Sequence, residues 1–161
     1  MTHHTSSLLT QLSIIPQISS TGFPVSDSLA FHLLNTLAIQ LSVNETLAQE
    51  LPETTSLVFN FRDKSYSAEQ GGFHPVEICL SKGKDNQWQY VYITDFAYMG
   101  NYYPELEKAL DFDFANLAAY SCGVPQRSLH DAYELYQLWE HNFIAYLEMG
   151  CYDDIQVSTS L

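Results

Sequence analysis

From Leu29 to Leu41 apolar residues return at every third or fourth position: Leu29, Ala30, Leu33, Leu34, Leu37, Ala38 and Leu41, with Asn35, Thr36 and Gln40 between them. That spacing lines one face of an α-helix. Ser26, Asp27 and Ser28 stand just before it and can accept from the free N–H groups of a first turn, so a helix is predicted from Ser26 to Leu41, stopping near Val43 and Asn44. The period then drops to two. Leu57, Phe59 and Phe61 alternate with Ser56, Asn60 and Arg62, which predicts a strand from Thr55 to Arg62. A polar stretch from Asp63 to Gly72 ends in two glycines and reads as a loop. Alternation resumes from His74 to Leu80, with His74, Val76, Ile78 and Leu80 on one side.

Lys82 to Asn86 is short enough for a hairpin connection into Trp88 to Phe96, a strand with aromatic or apolar area on both faces and hence a central place in a sheet. Beyond a turn at Gly100 and Asn101, Pro104 suits the first position of a short helical turn from Glu105 to Leu110. Leu110, Phe112 and Phe114, interleaved with Asp111 and Asp113, predict a strand with one acidic face. Gly123 and Pro125 mark an irregular stretch. Ser128 and Asp131 open a second long helix running to about Met149, with Gly150 supplying its left-handed end. Ile155 and Val157 suggest a terminal strand. The fold expected is α+β: a mostly antiparallel sheet of four to six strands packed against two main helices. Residues 1–25 form an N-terminal arm, either loose or docked, and residues 26–161 a single domain.

Composition narrows the classes. Of 161 residues 46% are hydrophobic and 16% charged, a balance that lets one core bury roughly 70% of the unfolded surface. No run approaches the roughly 18 apolar residues of a membrane span. Six basic residues against nineteen acidic ones leave a charge of −13, which repels a polyanion and argues against direct nucleic-acid binding. Cys79, Cys122 and Cys151 are odd in number and widely spaced, so they are read as reduced thiols. Together with a first basic residue as late as Arg62, which leaves no positive start to a secretory signal, they make the cytoplasm the expected location.

Two long blocks are unusual. One runs from Asn60 to Ile78, NFRDKSYSAEQGGFHPVEI; the other is Glu134 to Phe143, ELYQLWEHNF, followed by Met149-Gly150-Cys151-Tyr152-Asp153. Together they resemble the uncharacterised bacterial family known as domain of unknown function 2787, over most of the chain from Ser26 onward. The resemblance implies a bacterial, single-domain α+β protein and supplies no mechanism.

Candidate chemistry therefore comes from the residues. Arg62, Asp63, Tyr66, Glu69, His74 and Glu77 crowd one strand–loop–strand unit, where a histidine beside a carboxylate can act as acid or base and Arg62 can hold an anion. The plainer alternative is a local Arg62–Asp63 ion pair, a turn shaped by Gly71 and Gly72, and a His74 that flanks the core. His74 and Glu77 are an odd number apart, which sends them to opposite faces of a regular strand. Neither a nucleophile elbow nor a phosphate loop occurs. On the second helix His130, Glu134, Gln137 and His141 share a face, but His130 and His141 stand ~16 Å apart, too far for one ion. That stripe is expected to be solvated, opposite Leu135, Trp139, Phe143, Tyr146 and Leu147. His3 and His4 belong to the polar start of the arm, and no metal or cofactor is expected.

Tyr98, Tyr102 and Tyr103 cluster near a turn and suit partner contacts, since aromatic rings bury large areas with few rotors. Tyr90, Tyr92, Phe112 and Phe114 are expected in the core. Ten acidic residues from Pro104 onward face only Lys108 and Arg127 there, whereas Arg62, Lys64, Lys82 and Lys84 lie together earlier in the chain. Such an acidic surface attracts a basic protein or mimics phosphates, and it also serves solubility alone. The function expected is a binding or protein-interaction module; the alternative is a small-ligand-binding protein or enzyme built on the loop between Arg62 and Glu77.

Overall fold

The computed structural model describes residues 18–160. Helix α1 spans Asp27–Val43 and is capped by Ser26, whose Oγ accepts from the Leu29 N–H at 3.1 Å. Asn44 ends α1 through its N–H and starts α2, Glu45–Glu50, by accepting from the Leu47 N–H at 3.1 Å. A 3-10 turn over Leu51–Glu53 leads into β1, Ser56–Arg62. Then come β2, Val76–Lys82; β3, Trp88–Met99; β4, Glu105–Asp113; β5, Ala118–Ser121; and β6, Val124–Ser128. A 3-10 turn over His130–Ala132 opens α3, Tyr133–Glu148, and β7, Asp154–Ser160, closes the chain.

The strands form one antiparallel sheet in the order β6-β5-β4-β3-β2-β1-β7. The α+β expectation holds, but the described residues form seven strands rather than four to six and three α-helices rather than two. Two segments account for most of the difference. Glu105 to Leu110 is strand, not helical turn: Pro104 precedes a strand whose first four residues are exposed, so no alternation betrayed it. The stretch around Gly123 and Pro125 is a hairpin. Gly123 sits at φ +78°, where the tight turn needs a glycine, and Pro125 lies on an edge strand, which tolerates a missing N–H.

One face of the sheet carries the core. Leu29, Leu33 and Leu37 of α1, and Tyr136, Trp139 and Phe143 of α3, pack with Leu57, Phe59, Phe61, Ile78, Ile93, Phe112 and Phe114. Aromatic edges meet faces, as in Phe61–Phe143 at 5.1 Å and Phe112–Tyr136 at 5.1 Å. Each such pair adds about 0.5–1.5 kcal/mol beyond burial. Tyr90, Phe112 and Phe114 are in this core, but Tyr92 is not: it is half-buried on the other face, with its hydroxyl on Glu77. Residues 18–25 are tied to the domain, because Ile18 and Phe23 are buried and Ser19 exchanges 2.9 Å backbone bonds with Trp88 and Tyr90. His3, His4, Leu12, Ile14 and Ile15 lie outside the described residues.

The opposite face carries no helix among the described residues. Its strands present Asn60 and Arg62, Glu77, Tyr92 and Thr94, Asp111 and Asp113. At one end β3 and β4 outrun their neighbours. The β2 register stops at Val76 opposite Asp95, and the β5 register stops at Ser121 opposite Leu110. Beyond these points β3 and β4 have no strand partner but each other, while the Phe96 and Tyr98 N–H groups donate outward to the Pro75 carbonyl and the Tyr66 hydroxyl. This two-stranded spur carries Tyr102 and Tyr103 in its tip. At its root the exposed Cys122 places its Sγ 3.5 Å from the Met99 Sδ.

Candidate functional site

Asp63 organises the loop between β1 and β2. Its Oδ1 accepts from the Ser65 N–H at 2.9 Å and the Ser65 hydroxyl at 2.6 Å, and its Oδ2 accepts from the Phe73 N–H at 3.1 Å. The Ser65 hydroxyl foremost, then the Phe73 amide, hold its carboxyl below the ordinary value. Gly72 permits this closure. At φ +133° it has a backbone that other residues rarely adopt, and a Cβ there would stand 2.9 Å from Asp63 Oδ2 and 3.0 Å from the Tyr66 Cα. The expected Arg62–Asp63 ion pair is absent among the described residues. Asp63 is occupied by neutral donors, and Arg62 lines a recess on the helix-free face with Asn60, Asp154 and Gln156.

The loop delivers Phe73 and His74 to a cleft of about 340 Å³ bounded by β3, β4 and α3. Here the His74 Nδ1 lies 2.8 Å from Asp95 Oδ1, and the Trp139 indole N–H donates to Asp95 Oδ2 at 3.1 Å. The Asp95 side chain is 13% exposed and that of His74 44%. The bond to Asp95 raises the imidazole pKa above its ordinary value against an opposing effect of burial. Asp95 and Trp139 were not among the residues singled out from the sequence, because they come from a strand and a helix far apart in the chain. One cue existed: strand alternation places Asp95 on the same side as Ile93, and an acid on a core face needs partners.

The other candidates are dispersed. Tyr66 stacks beside His74 at 5.3 Å and Tyr98 at 5.1 Å, and its hydroxyl accepts from the Tyr98 N–H at 3.0 Å. Glu69 is exposed on the loop. Glu77 faces the helix-free side, where its Oε2 accepts from the Tyr92 hydroxyl at 2.6 Å. The structure therefore joins Tyr66, His74 and Tyr98, keeps Asp63 as the loop's anchor, and separates Arg62, Glu69 and Glu77 from them. Tyr102 and Tyr103 are 91% and 88% exposed at the spur tip. His130, Glu134, Gln137 and His141 are all exposed on α3 and the turn before it. Among the described residues no group of three or more His, Cys, Asp or Glu side chains is placed to hold a metal ion, and no helix is long and apolar enough to cross a membrane.

Sheet order, one-sided helical cover and the histidine–carboxylate cleft define a class of two-layer α+β protein. A family model described as "Protein of unknown function (DUF2787)" matches residues 30–158, and the chain belongs to that family. Among solved structures it is similar to the hypothetical protein VC0508 from the VSP-II pathogenicity island of Vibrio cholerae. Identity there is 41% and the TM-score 0.77, covering 89% of this chain and 99% of the other. It is also similar to the conserved hypothetical protein VC1805 from pathogenicity island VPI-2 of Vibrio cholerae, at 44% identity and a TM-score of 0.68, covering 84% of this chain and 95% of that one. VC1805 itself is described as sharing structural homology with the human P32 protein. No curated protein matches the chain.

Proposed function

We propose that this protein is a cytoplasmic binding module that engages a basic protein segment through the β3–β4 spur. One observation carries the proposal: two tyrosines stand almost fully in solvent at the tip of a paired strand spur, flanked by the exposed Glu105 and Glu107. Guanidinium groups stack on tyrosine faces and pair with carboxylates, so an arginine-bearing segment satisfies both features at once. The net charge of −13 steers such a partner inward. Three free thiols support a reducing compartment.

The test is fluorescence anisotropy with arginine-rich, lysine-rich and glutamate-rich peptides across about 0.05 to 0.5 M salt. The arginine peptide is expected to bind best and to weaken as salt rises, while Tyr102→Ser with Tyr103→Ser lowers its affinity about tenfold. Binding that ignores both the double substitution and salt would remove the proposal. Of the six loop candidates, His74 alone also supports a small-ligand function, since it alone lines the cleft.

A further inference from the structure

We propose that the cleft between the double-glycine loop and α3 binds a small monocarboxylate with an apolar body. His74 and Asn142 take its charged end, while Leu110, Leu135 and Leu138 line its body. This site is separate from the spur and does not depend on what the spur binds. At about 340 Å³ the cleft lies at the lower end of the range for small-molecule pockets; most of its lining residues are apolar or aromatic, and its wall offers polar and apolar surface in about equal share. Its polar groups are few and asymmetric. Each Asp95 oxygen already accepts one bond, Oδ1 from His74 and Oδ2 from Trp139, and the side chain is 13% exposed, so its charge is directed to these two partners rather than to a ligand. Accepting at Nδ1–H, Asp95 also fixes the imidazole so that Nε2 is the nitrogen left for a ligand.

Neither that Nε2 nor the half-buried Asn142 amide has a protein hydrogen-bond partner among the described residues. A pure hydrocarbon would cover them and leave them unpaired, at a cost. A carboxylate meets both. The chain's charge of −13 selects further, since it repels polyanions such as phosphates more strongly than a single carboxylate. The site is held ready: Asp63 clamps the Phe73 amide and Trp139 clamps Asp95, so binding orders few groups.

The experiment titrates the full chain with hexanoate, hexanamide and hexylammonium, following the Trp139 indole and Asn142 side-chain amide signals by ¹⁵N NMR. Hexanoate is expected to give saturable shifts at both signals, with the amide and the ammonium binding about tenfold or more weakly. His74→Gln is expected to weaken hexanoate about tenfold, and Leu138→Ala, at an exposed rim position, about threefold. Asn142→Leu provides a second polar deletion if the first variant does not fold. Hexanoate affinity should also fall as pH rises and His74 loses its proton; the titratable groups around it are Asp95 on β3, Tyr66 on the loop, Tyr146 on α3 and Tyr152 beyond it. No saturable shift with hexanoate, equal binding of hexylammonium, or a folded His74→Gln variant that binds hexanoate like the parent would each overturn the proposal.

Discussion

The two faces of the sheet solve different problems with the same strands. Under the helices, Phe59, Phe61, Ile78, Ile93, Phe112 and Phe114 are almost wholly removed from water and pack into one core with α1 and α3. On the other face the strands are laced sideways by polar pairs: the Tyr92 hydroxyl on Glu77 and the Thr94 hydroxyl on Asp111, each at 2.6 Å. Apolar burial is large but non-directional, so it rewards any register that points these side chains inward. The polar pairs form only in one register. Most of the stability thus resides on the covered face, and the other face contributes alignment.

Breaking the covered face should have the largest effect. Phe61→Ala removes a fully buried ring that contacts Phe143 and Tyr152, and should cost about 3–5 kcal/mol in urea unfolding. Gly72→Ala strikes the loop that joins the two sides. Its Cβ meets Asp63 and Tyr66 at a disfavoured φ, so a loss of about 1–3 kcal/mol is expected, with faster hydrogen exchange at the Phe73 amide. On the helix-free face Thr94→Val leaves the Asp111 carboxylate without its hydroxyl donor, and a loss of about 1 kcal/mol should appear in the same assay. A cost for Thr94→Val equal to that of Phe61→Ala would erase the distinction between the faces.

The smallest effect is pH-dependent. The His74 imidazole is raised above 6.5 in the folded chain by Asp95, so the pair stabilises fully below that ordinary value and its contribution fades as pH climbs through the raised one. The stability gap between the parent and His74→Gln should therefore be wider at acid than at alkaline pH. A gap that widens towards alkaline pH would contradict the assigned pair.

Elements with one wet and one dry face were legible in the sequence: the Leu29–Leu41 stripe, the Leu57-Phe59-Phe61 alternation and the helix carrying Trp139 and Phe143. Segments wet on both sides were not. Glu105 to Lys108 has no buried side to impose a period, so Pro104 suggested a helix where pairing with Phe96–Met99 makes a strand. The candidate site was half legible for a similar reason. His74 stood out beside two glycines, but its partners Asp95 and Trp139 are brought to it only by sheet register and helix docking, which no local spacing encodes. Arg62 and Glu77 were near His74 in sequence and fell to the other face, since successive strand residues point in opposite directions.

The three thiols differ in reach, and that difference has a practical use. Cys79 is buried and its acidity is suppressed by desolvation, whereas Cys122 is open to solvent where the spur leaves the sheet. A maleimide dye will therefore load Cys122 ahead of Cys79, and it will do so against the side chain of Met99, the last residue of β3 before the tip that bears the two tyrosines. With Cys151 replaced by serine, the chain carries its own attachment point for a fluorophore that reports on whatever settles against that projection.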